Sequence, residues 1–269
     1  MPDRSFHFIP SHRTDYLKKI NNLSADHIII DLEDGVPEHL IDQGKENILK
    51  YVKNSTLKNI WIRIHDEESK HSDDDLDFLM NLPDIGVVIP KFRPANWNKY
   101  PINKKKIILI ESLMDLNRIS FFSNELIRMK LFAIGLGLED MLTDFYQSNE
   151  SLINLINQIK AHFIIINKPI CSILLDGVFT NYRDKELFDE DCQDSFLFGF
   201  NGRFSIHPNQ IEIINKIYNV NEDDYKYAQK IISLSKNEKN SGYSVVNGTL
   251  MTPPKIAKSK TIIKVGSKK

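Results

Sequence analysis

The segment LFAIGLGLED (131–140) decides how the rest of this 269-residue chain is interpreted. An apolar run stops at Glu139 and Asp140, and a helix-like pattern follows. A short run of Leu, Ile and Phe without polar alternation is typical of a β-strand covered on both faces. Acids at the end of such a strand could cap a helix, lie in solvent, or bind a ligand at the mouth of a fold. Since strand side chains alternate, we expect only one of the two acids to face that mouth.

Seven further runs of the same kind recur along the chain, and helix-period segments separate them. They are FHFIP (6–10), HIIIDLED (27–34), IWIRI (60–64), IGVVIPKF (85–92), KIILIES (106–112), SILLDGVF (172–179) and FNGRFSIHP (200–208). Eight strand–helix units within about 210 residues predict an α/β fold, a TIM (β/α)8 barrel. A doubly wound open sheet is the alternative, but it usually has a glycine fingerprint after its first strand, where this chain has IPSHR.

The character of the sequence changes after Tyr218. We predict a barrel domain over 1–218 and a C-terminal helical extension over 219–269. The sequence of the extension begins with acidic residues and predicts a helix, a polar linker, a short extended segment, a Pro-Pro turn and a final helix. We expect it to pack on the barrel or on a neighbouring subunit.

Composition narrows the possible partners and compartments. The formal net charge of −1 favours neither nucleic acid nor an anionic membrane as a partner. The longest apolar stretches are strand-sized, and the first ten residues contain no hydrophobic signal core. The chain has only two cysteines, Cys171 and Cys192, without metal-type spacing. A cytoplasmic, disulfide-free protein is therefore expected.

Ionisable residues end nearly every predicted strand, where the chemistry of a barrel is located. Glu111 and Asp140 end consecutive strands, and adjacent carboxylates repel each other unless a cation or a proton lies between them. Oxygen ligands without a Cys or His cluster suit Mg²⁺. Alternatively, each acid caps a helix or pairs with a lysine. The other residues of this predicted ring are Asp31, Glu33, Asp34, Arg63, His65, Lys91, Asp176 and His207, with Pro10 to Arg13 after the first strand.

Positive charges at the predicted mouth need anionic partners. Arg63 could bind a substrate carboxylate or a developing enolate bidentately, or it could pair with Glu33 or Asp31. Arg4 and Arg13 could meet phosphates or form surface ion pairs. Lys91 is interpreted as the charge partner of an acid.

Several segments, taken in order, carry a resemblance to a known family. They are RSFHFIPSHRTD, ADHIIIDLEDGVP, WIRIHD, VVIPK, ILIES, GLEDM, LLDGVFTNYRD and GFNGRFSIHPNQIEIIN. Together they resemble the HpcH/HpaI aldolase and citrate lyase beta-chain family, and its acyl-CoA lyases more than its short aldolases. The similarity runs from about Arg4 to Tyr218, and NGTLMTPPKIAK resembles the family's tail.

The resemblance implies a Mg²⁺-dependent carbon–carbon lyase. It would cleave a 3-hydroxyacyl-CoA thioester of the citryl, malyl or citramalyl type to an acyl-CoA and a keto acid. By this resemblance Glu111 and Asp140 hold the metal, and Arg63 contacts the keto or hydroxy acid. Asp31, Glu33 and Asp34 lie near the metal waters, with Glu33 and Asp34 as acid/base groups. Arg13 and Gly137 are expected to contact substrate, and a homo-oligomer, a trimer or hexamer, is expected.

The chain departs from the family pattern at three places. Arg63-Ile64-His65 stands where the family has Arg-x-Asn, and Pro10-Ser11 stands where it has Pro-Gly. Thr252 stands where related lyases carry an Asp that enters a neighbouring subunit's site, and a threonine cannot replace a carboxylate in proton transfer near neutral pH. Two alternatives therefore stay open: a CoA-independent aldolase acting on a hydroxy-keto acid, and a non-catalytic homologue.

Overall fold

Eight parallel strands form a closed barrel in the computed structural model, which describes residues 3–52, 59–82, 85–100, 103–148, 151–237, 244–246 and 249–267. The strands are β1 (Ser5–Pro10), β2 (His27–Asp31), β3 (Ile60–Arg63), β4 (Gly86–Ile89), β5 (Lys106–Ile110), β6 (Ala133–Leu136), β7 (Leu174–Asp176) and β8 (Gly202–Ser205). Each coincides with one of the eight predicted runs, with β1 beginning one residue before its run, so the TIM barrel is confirmed. The open sheet is excluded because β1 pairs with both β2 and β8.

Helices follow the strands around the barrel. They are α1 (Thr14–Leu17), α2 (Ile41–Val52), α3 (Ser72–Met80), α4 (Leu113–Arg118), α5 (Ser123–Arg128), α6 (Leu138–Met141), α7 (Ile153–Asn167), α8 (Lys185–Phe198) and α9 (Pro208–Ile217). Short 3₁₀ turns cover Ile20–Asn22, Glu38–Leu40, Pro94–Lys99 and Ile119–Phe122. Within the described ranges, no helix combines the length and the apolar character that crossing a membrane requires.

The barrel interior is filled by large apolar side chains on alternate strand positions. Phe6, Ile29, Trp61, Leu109 and Phe204 belong to one buried cluster inside the barrel. Because strand side chains alternate, the residues two positions further along point the same way. On the inward face of β2, β3 and β5, the apolar side chains of the core are therefore followed by charged side chains at the carboxyl ends of the strands.

The chain from Tyr218 onwards forms a second compact unit, separate from the barrel unit of Asp3–Ile217. It contains α10 (Glu222–Asn237), a two-stranded antiparallel sheet of β9 (Ser244–Val246) and β10 (Thr249–Met251), and α11 (Pro253–Gly266). The predicted Pro-Pro turn is wrong: Pro253 and Pro254 form the first turn of α11, where proline's missing N–H is tolerated. Residues 238–243 of the predicted polar linker lie outside the described residues.

Candidate active site

A cavity of about 370 Å³ opens at the carboxyl ends of the barrel strands. Its apolar lining comes from inward-facing residues such as Phe8, Leu109, Val178, Phe204 and Ile206. The charged side chains in the lining are Asp31, Asp34, Arg63, Glu111, Glu139 and Asp140. The structure therefore brings five charged members of the predicted ring to one place: Asp31, Asp34, Arg63, Glu111 and Asp140.

Arg63 and Asp31 form a bidentate ion pair across neighbouring strands. The β2–β3 register sets Asp31 directly opposite Arg63, and Nε and Nη2 of Arg63 each lie 2.6 Å from an Asp31 carboxylate oxygen. Backbone N–H groups of Glu33 and Gly35 donate to the same carboxylate. Burial alone would raise the pKa of Asp31, but the Arg63 guanidinium and these N–H donors keep it below its usual value. Asp31 is thus a fixed anion that orients Arg63.

The remaining nitrogen of Arg63, Nη1, faces two further acids. It lies 3.2 Å from Glu33 Oε2 and 3.2 Å from Asp34 Oδ2. Glu33 Oε2 is buried and makes no hydrogen bond, while Oε1 accepts one from Lys91 Nζ at 3.0 Å. Burial raises the pKa of Glu33 to about 7 against the opposing charges of Arg63 and Lys91. Lys91 is therefore the charge partner of an acid, as its position in the sequence suggests.

Glu111 follows β5 and lies in the wall of the cavity. The Lys91 backbone N–H donates to its Oε2 at 2.6 Å. Gly137 packs against the same side chain, because a Cβ added there would lie 2.3 Å from Glu111 Cγ. Burial, then the charges of Glu33 and Asp140, raise the pKa of Glu111 to about 7. A buried carboxylate beside other acids is an unstable anion unless a cation joins it.

Glu139 and Asp140 both border the cavity, which corrects the expectation that only one of them would. The alternation rule fails here because β6 ends at Leu136 and both acids belong to the short helix α6. Both side chains are exposed. The mouth therefore carries one more acid than strand geometry predicts.

Asp176 does not belong to the ring, contrary to the sequence-based expectation. It is fully buried at the end of β7, with Oδ2 2.9 Å from Lys160 Nζ of α7 and 3.9 Å from Arg203 Nη1 of β8. Leu175 occupies the barrel interior, so the next residue points outward to the helices. Asp176 thus neutralises buried cations behind the barrel wall.

Other predicted residues lie outside the cavity lining. Arg13, expected to contact substrate, pairs with Asp15 at 2.9 Å and stacks over the Tyr16 ring. Arg4 pairs with Asp26. Nδ1 of His65 lies 2.7 Å from Asp75, and the His207 ring stacks on Tyr182.

Sequence reasoning missed the aromatic side of the site. The Phe8 ring lies under the Arg63 guanidinium, with Cζ 5.0 Å from the ring centroid. The available signal was alternation along FHFIP, since Phe6 and Phe8 share the inward face of β1. The direct link from the Lys91 main chain to Glu111 had no signal in the sequence, because it depends on backbone conformation.

The donor set at this mouth fits a hard divalent cation. In the part of the chain that the structure describes, five acids and one cation, Arg63, line the cavity. No three His, Cys, Asp or Glu residues of those ranges are grouped closely enough to hold a metal on their own. Glu111 and Asp140 supply only oxygen, which suits Mg²⁺, an ion that keeps several waters and uses few protein ligands.

Known proteins similar to this chain are carbon–carbon bond lyases. Residues 141–258 match a family model described as a C–C bond lyase of the TIM-barrel fold. The citrate lyase subunit beta of Leuconostoc mesenteroides subsp. cremoris is 24% identical, over 98% of this chain and 93% of the relative. The mitochondrial citramalyl-CoA lyase of Homo sapiens is 22% identical, over 90% of this chain and 78% of the relative.

Solved structures share the fold. CitE of Mycobacterium tuberculosis, in complex with magnesium, acetoacetate and coenzyme A, has a TM-score of 0.77 at 19% identity and covers 99% of this chain and 98% of its own. A citrate lyase of Burkholderia xenovorans has a TM-score of 0.81 at 18% identity and covers 100% and 92%. The chain is thus similar to citrate lyase beta subunit-like proteins and to carbon–carbon bond lyases of the TIM-barrel fold.

Proposed function

We propose that this chain is a Mg²⁺-dependent lyase that cleaves a 3-hydroxyacyl-CoA thioester of the citryl, malyl or citramalyl type. The products would be an acyl-CoA and a keto acid. The observation that carries the proposal is the mouth itself, where Arg63, held by Asp31, lies among acids that include Glu111 and Asp140. Relatives named as citrate lyase and citramalyl-CoA lyase support this reaction type.

Glu111 and Asp140 would hold the Mg²⁺. When bound, the ion would supply Lewis-acid polarisation of substrate oxygens. The magnesium complex of the Mycobacterium tuberculosis protein supports this choice of ion. The pair also fits on physical grounds, because the cation would stabilise the Glu111 carboxylate, which burial and then its acidic neighbours destabilise.

The chain's own residues would bind the acid and move a proton. In the cleavage, the C2–C3 bond breaks, the hydroxyl proton leaves, and the C3–O bond becomes the carbonyl of the keto acid. The electron pair passes to C2 and forms the acyl-CoA enolate, which is then protonated. Arg63 would bind the carboxylate of the acid through Nη1, and Glu33 and Asp34, both 3.2 Å from that nitrogen, would exchange the proton.

Two observations favour a second candidate, a CoA-independent aldolase acting on a hydroxy-keto acid. Arg13, expected to meet substrate, is engaged by Asp15 and does not line the cavity. Ser11, which replaces the family glycine, is fully buried, and a Cβ on Gly44 of α2 would lie 2.3 Å from its Oγ. Contact of Arg13 with substrate, the trimer or hexamer, and the cytoplasmic location remain predictions.

The test is product formation from defined thioesters. Citryl-, malyl- and citramalyl-CoA are each incubated with the full chain and Mg²⁺, and oxaloacetate, glyoxylate or pyruvate is measured, with EDTA as the metal-free control. We expect one thioester to be cleaved only with Mg²⁺. Arg63→Lys should lower turnover at least 100-fold because a lysine cannot form the bidentate pair, whereas the control Arg93→Lys should not.

Other outcomes separate the alternatives. Cleavage of a 4-hydroxy-2-oxo acid without cleavage of any thioester would support the aldolase. Magnesium binding with no cleavage of either substrate class would support a non-catalytic homologue. Cleavage that persists in EDTA would contradict the role of the metal.

A further inference from the structure

Lys91 adopts a backbone conformation that a lysine rarely occupies. Its φ is +43°, and Lys130, with φ +52°, is the only other non-glycine residue with positive φ in the described ranges. A side chain in this left-handed region is strained by contact with its own backbone. Such strain persists only where the surrounding structure enforces it, and it concentrates at functional sites.

The turn around Lys91 is anchored on its far side. Phe92 is fully buried, and its N–H donates to the Leu109 carbonyl at 3.0 Å. Leu109 lies on β5, two residues before Glu111. The chain leaving β4 is therefore bound to β5 immediately after the strained residue, and this fixes the direction of the Lys91 N–H.

The strained conformation brings two parts of one residue to two different carboxylates. The Lys91 backbone N–H donates to Glu111 Oε2 at 2.6 Å, while its Nζ donates to Glu33 Oε1 at 3.0 Å. Glu33 follows β2 and Glu111 follows β5, on either side of the β4 turn that carries Lys91. Lys91 thus links two acids of the mouth, Glu33 and Glu111, whose pKa values burial raises to about 7.

We propose that Lys91 is a positioning residue whose left-handed backbone aims the N–H that orients Glu111 toward a divalent cation, while its ammonium neutralises Glu33. This inference rests on the proposed function, because the cation at Glu111 and Asp140 is itself part of that proposal. The backbone contribution and the ammonium contribution are separable by substitution. Alanine removes the ammonium and leaves the backbone preference close to that of lysine, whereas β-branched valine also disfavours the left-handed region.

The experiment measures Mg²⁺ affinity of the full chain by titration calorimetry and by the Mg²⁺-dependent rise in Tm. Lys91→Ala should bind Mg²⁺ within threefold of wild type or more tightly, because a nearby positive charge is lost. Lys91→Val should bind at least tenfold more weakly than Lys91→Ala. Lys91 is 40% exposed, so both side chains are accommodated, and Lys91→Thr makes the same comparison if the valine variant does not fold.

Lys130 provides the matched control, because it is exposed, its φ angle is also positive, and it does not line the cavity. Lys130→Ala and Lys130→Val should both bind Mg²⁺ as wild type does. Equal affinities of the Lys91→Ala and Lys91→Val proteins would overturn the inference while leaving the proposed function intact. Absence of Mg²⁺ binding by the wild type would overturn both.

Discussion

Gly137 is the residue of the site whose replacement has the most direct structural consequence. A Cβ at this position would lie 2.3 Å from Glu111 Cγ, so Glu111 would have to move. We predict that Gly137→Ala weakens Mg²⁺ binding at least tenfold, measured by calorimetry, with an unchanged far-UV circular dichroism spectrum. In a Glu111→Ala background, which lacks the clashing atom, the same substitution should have no further effect. Wild-type affinity in the single variant would contradict this account of Glu111.

The side chains that face the barrel mouth can be predicted from sequence where large apolar residues show which side of the strand faces the interior. Ile29, Trp61 and Leu109 face the interior, and Asp31, Arg63 and Glu111 follow on the same face. The prediction failed for Asp176 because a three-residue strand gives too few positions to fix its phase from sequence. It failed for Glu139 because the end of β6 at Leu136 depends on hydrogen bonds to neighbouring strands.

Among the elements of the fold, helix α11 allows a test of Thr252, which stands where related lyases carry an aspartate. Thr252 is the N-cap residue of α11, and its side chain makes no capping hydrogen bond. Aspartate is a better N-cap, so Thr252→Asp should leave Tm unchanged or raise it. If the resemblance to related lyases extends to this position, the variant should also increase kcat for the thioester at least tenfold.

The control for this prediction is Thr252→Asn, because asparagine caps a helix as well as aspartate does but carries no charge. It should reproduce any rise in Tm without the gain in kcat. An equal kcat for the Asp and Asn variants would show that the threonine does not limit turnover.

At the scale of the whole molecule, a buried histidine links stability to pH. His7 is 4% exposed on β1, with Nδ1 3.0 Å from Ser205 Oγ. Burial and then the charge of His207 lower its pKa from 6.5 to about 4. Between these two pH values the unfolded chain binds the proton and the folded chain does not, so stability falls as pH falls. We predict that His7 accounts for about 3 kcal/mol of the loss between pH 7 and pH 4.

Urea unfolding at both pH values measures this contribution. His7→Gln removes the titrating group, and its unfolding free energy should fall less between pH 7 and pH 4 than that of wild type. Equal losses in the two proteins would mean that other groups account for the pH dependence.

The architecture of the barrel could be predicted from sequence because its strands are buried on both faces. Continuous apolar runs such as KIILIES and SILLDGVF are distinct from the helical periods between them. The C-terminal unit was less predictable. Its small sheet consists of two three-residue strands, too short for a periodicity signal, and a Pro-Pro pair is compatible both with a turn and with the first turn of a helix.

Magnesium binding by wild type, Asp140→Asn and Asp144→Asn distinguishes a metal ligand from an exposed aspartate outside the site. Both substitutions remove one negative charge from an exposed aspartate, but only Asp140 lines the cavity. Wild type and Asp144→Asn should bind one Mg²⁺ with equal affinity in calorimetry, and Asp140→Asn should lose at least 30-fold in affinity together with the Mg²⁺-dependent rise in Tm. Equal Mg²⁺ affinity in all three proteins would contradict the role of Asp140 as a metal ligand.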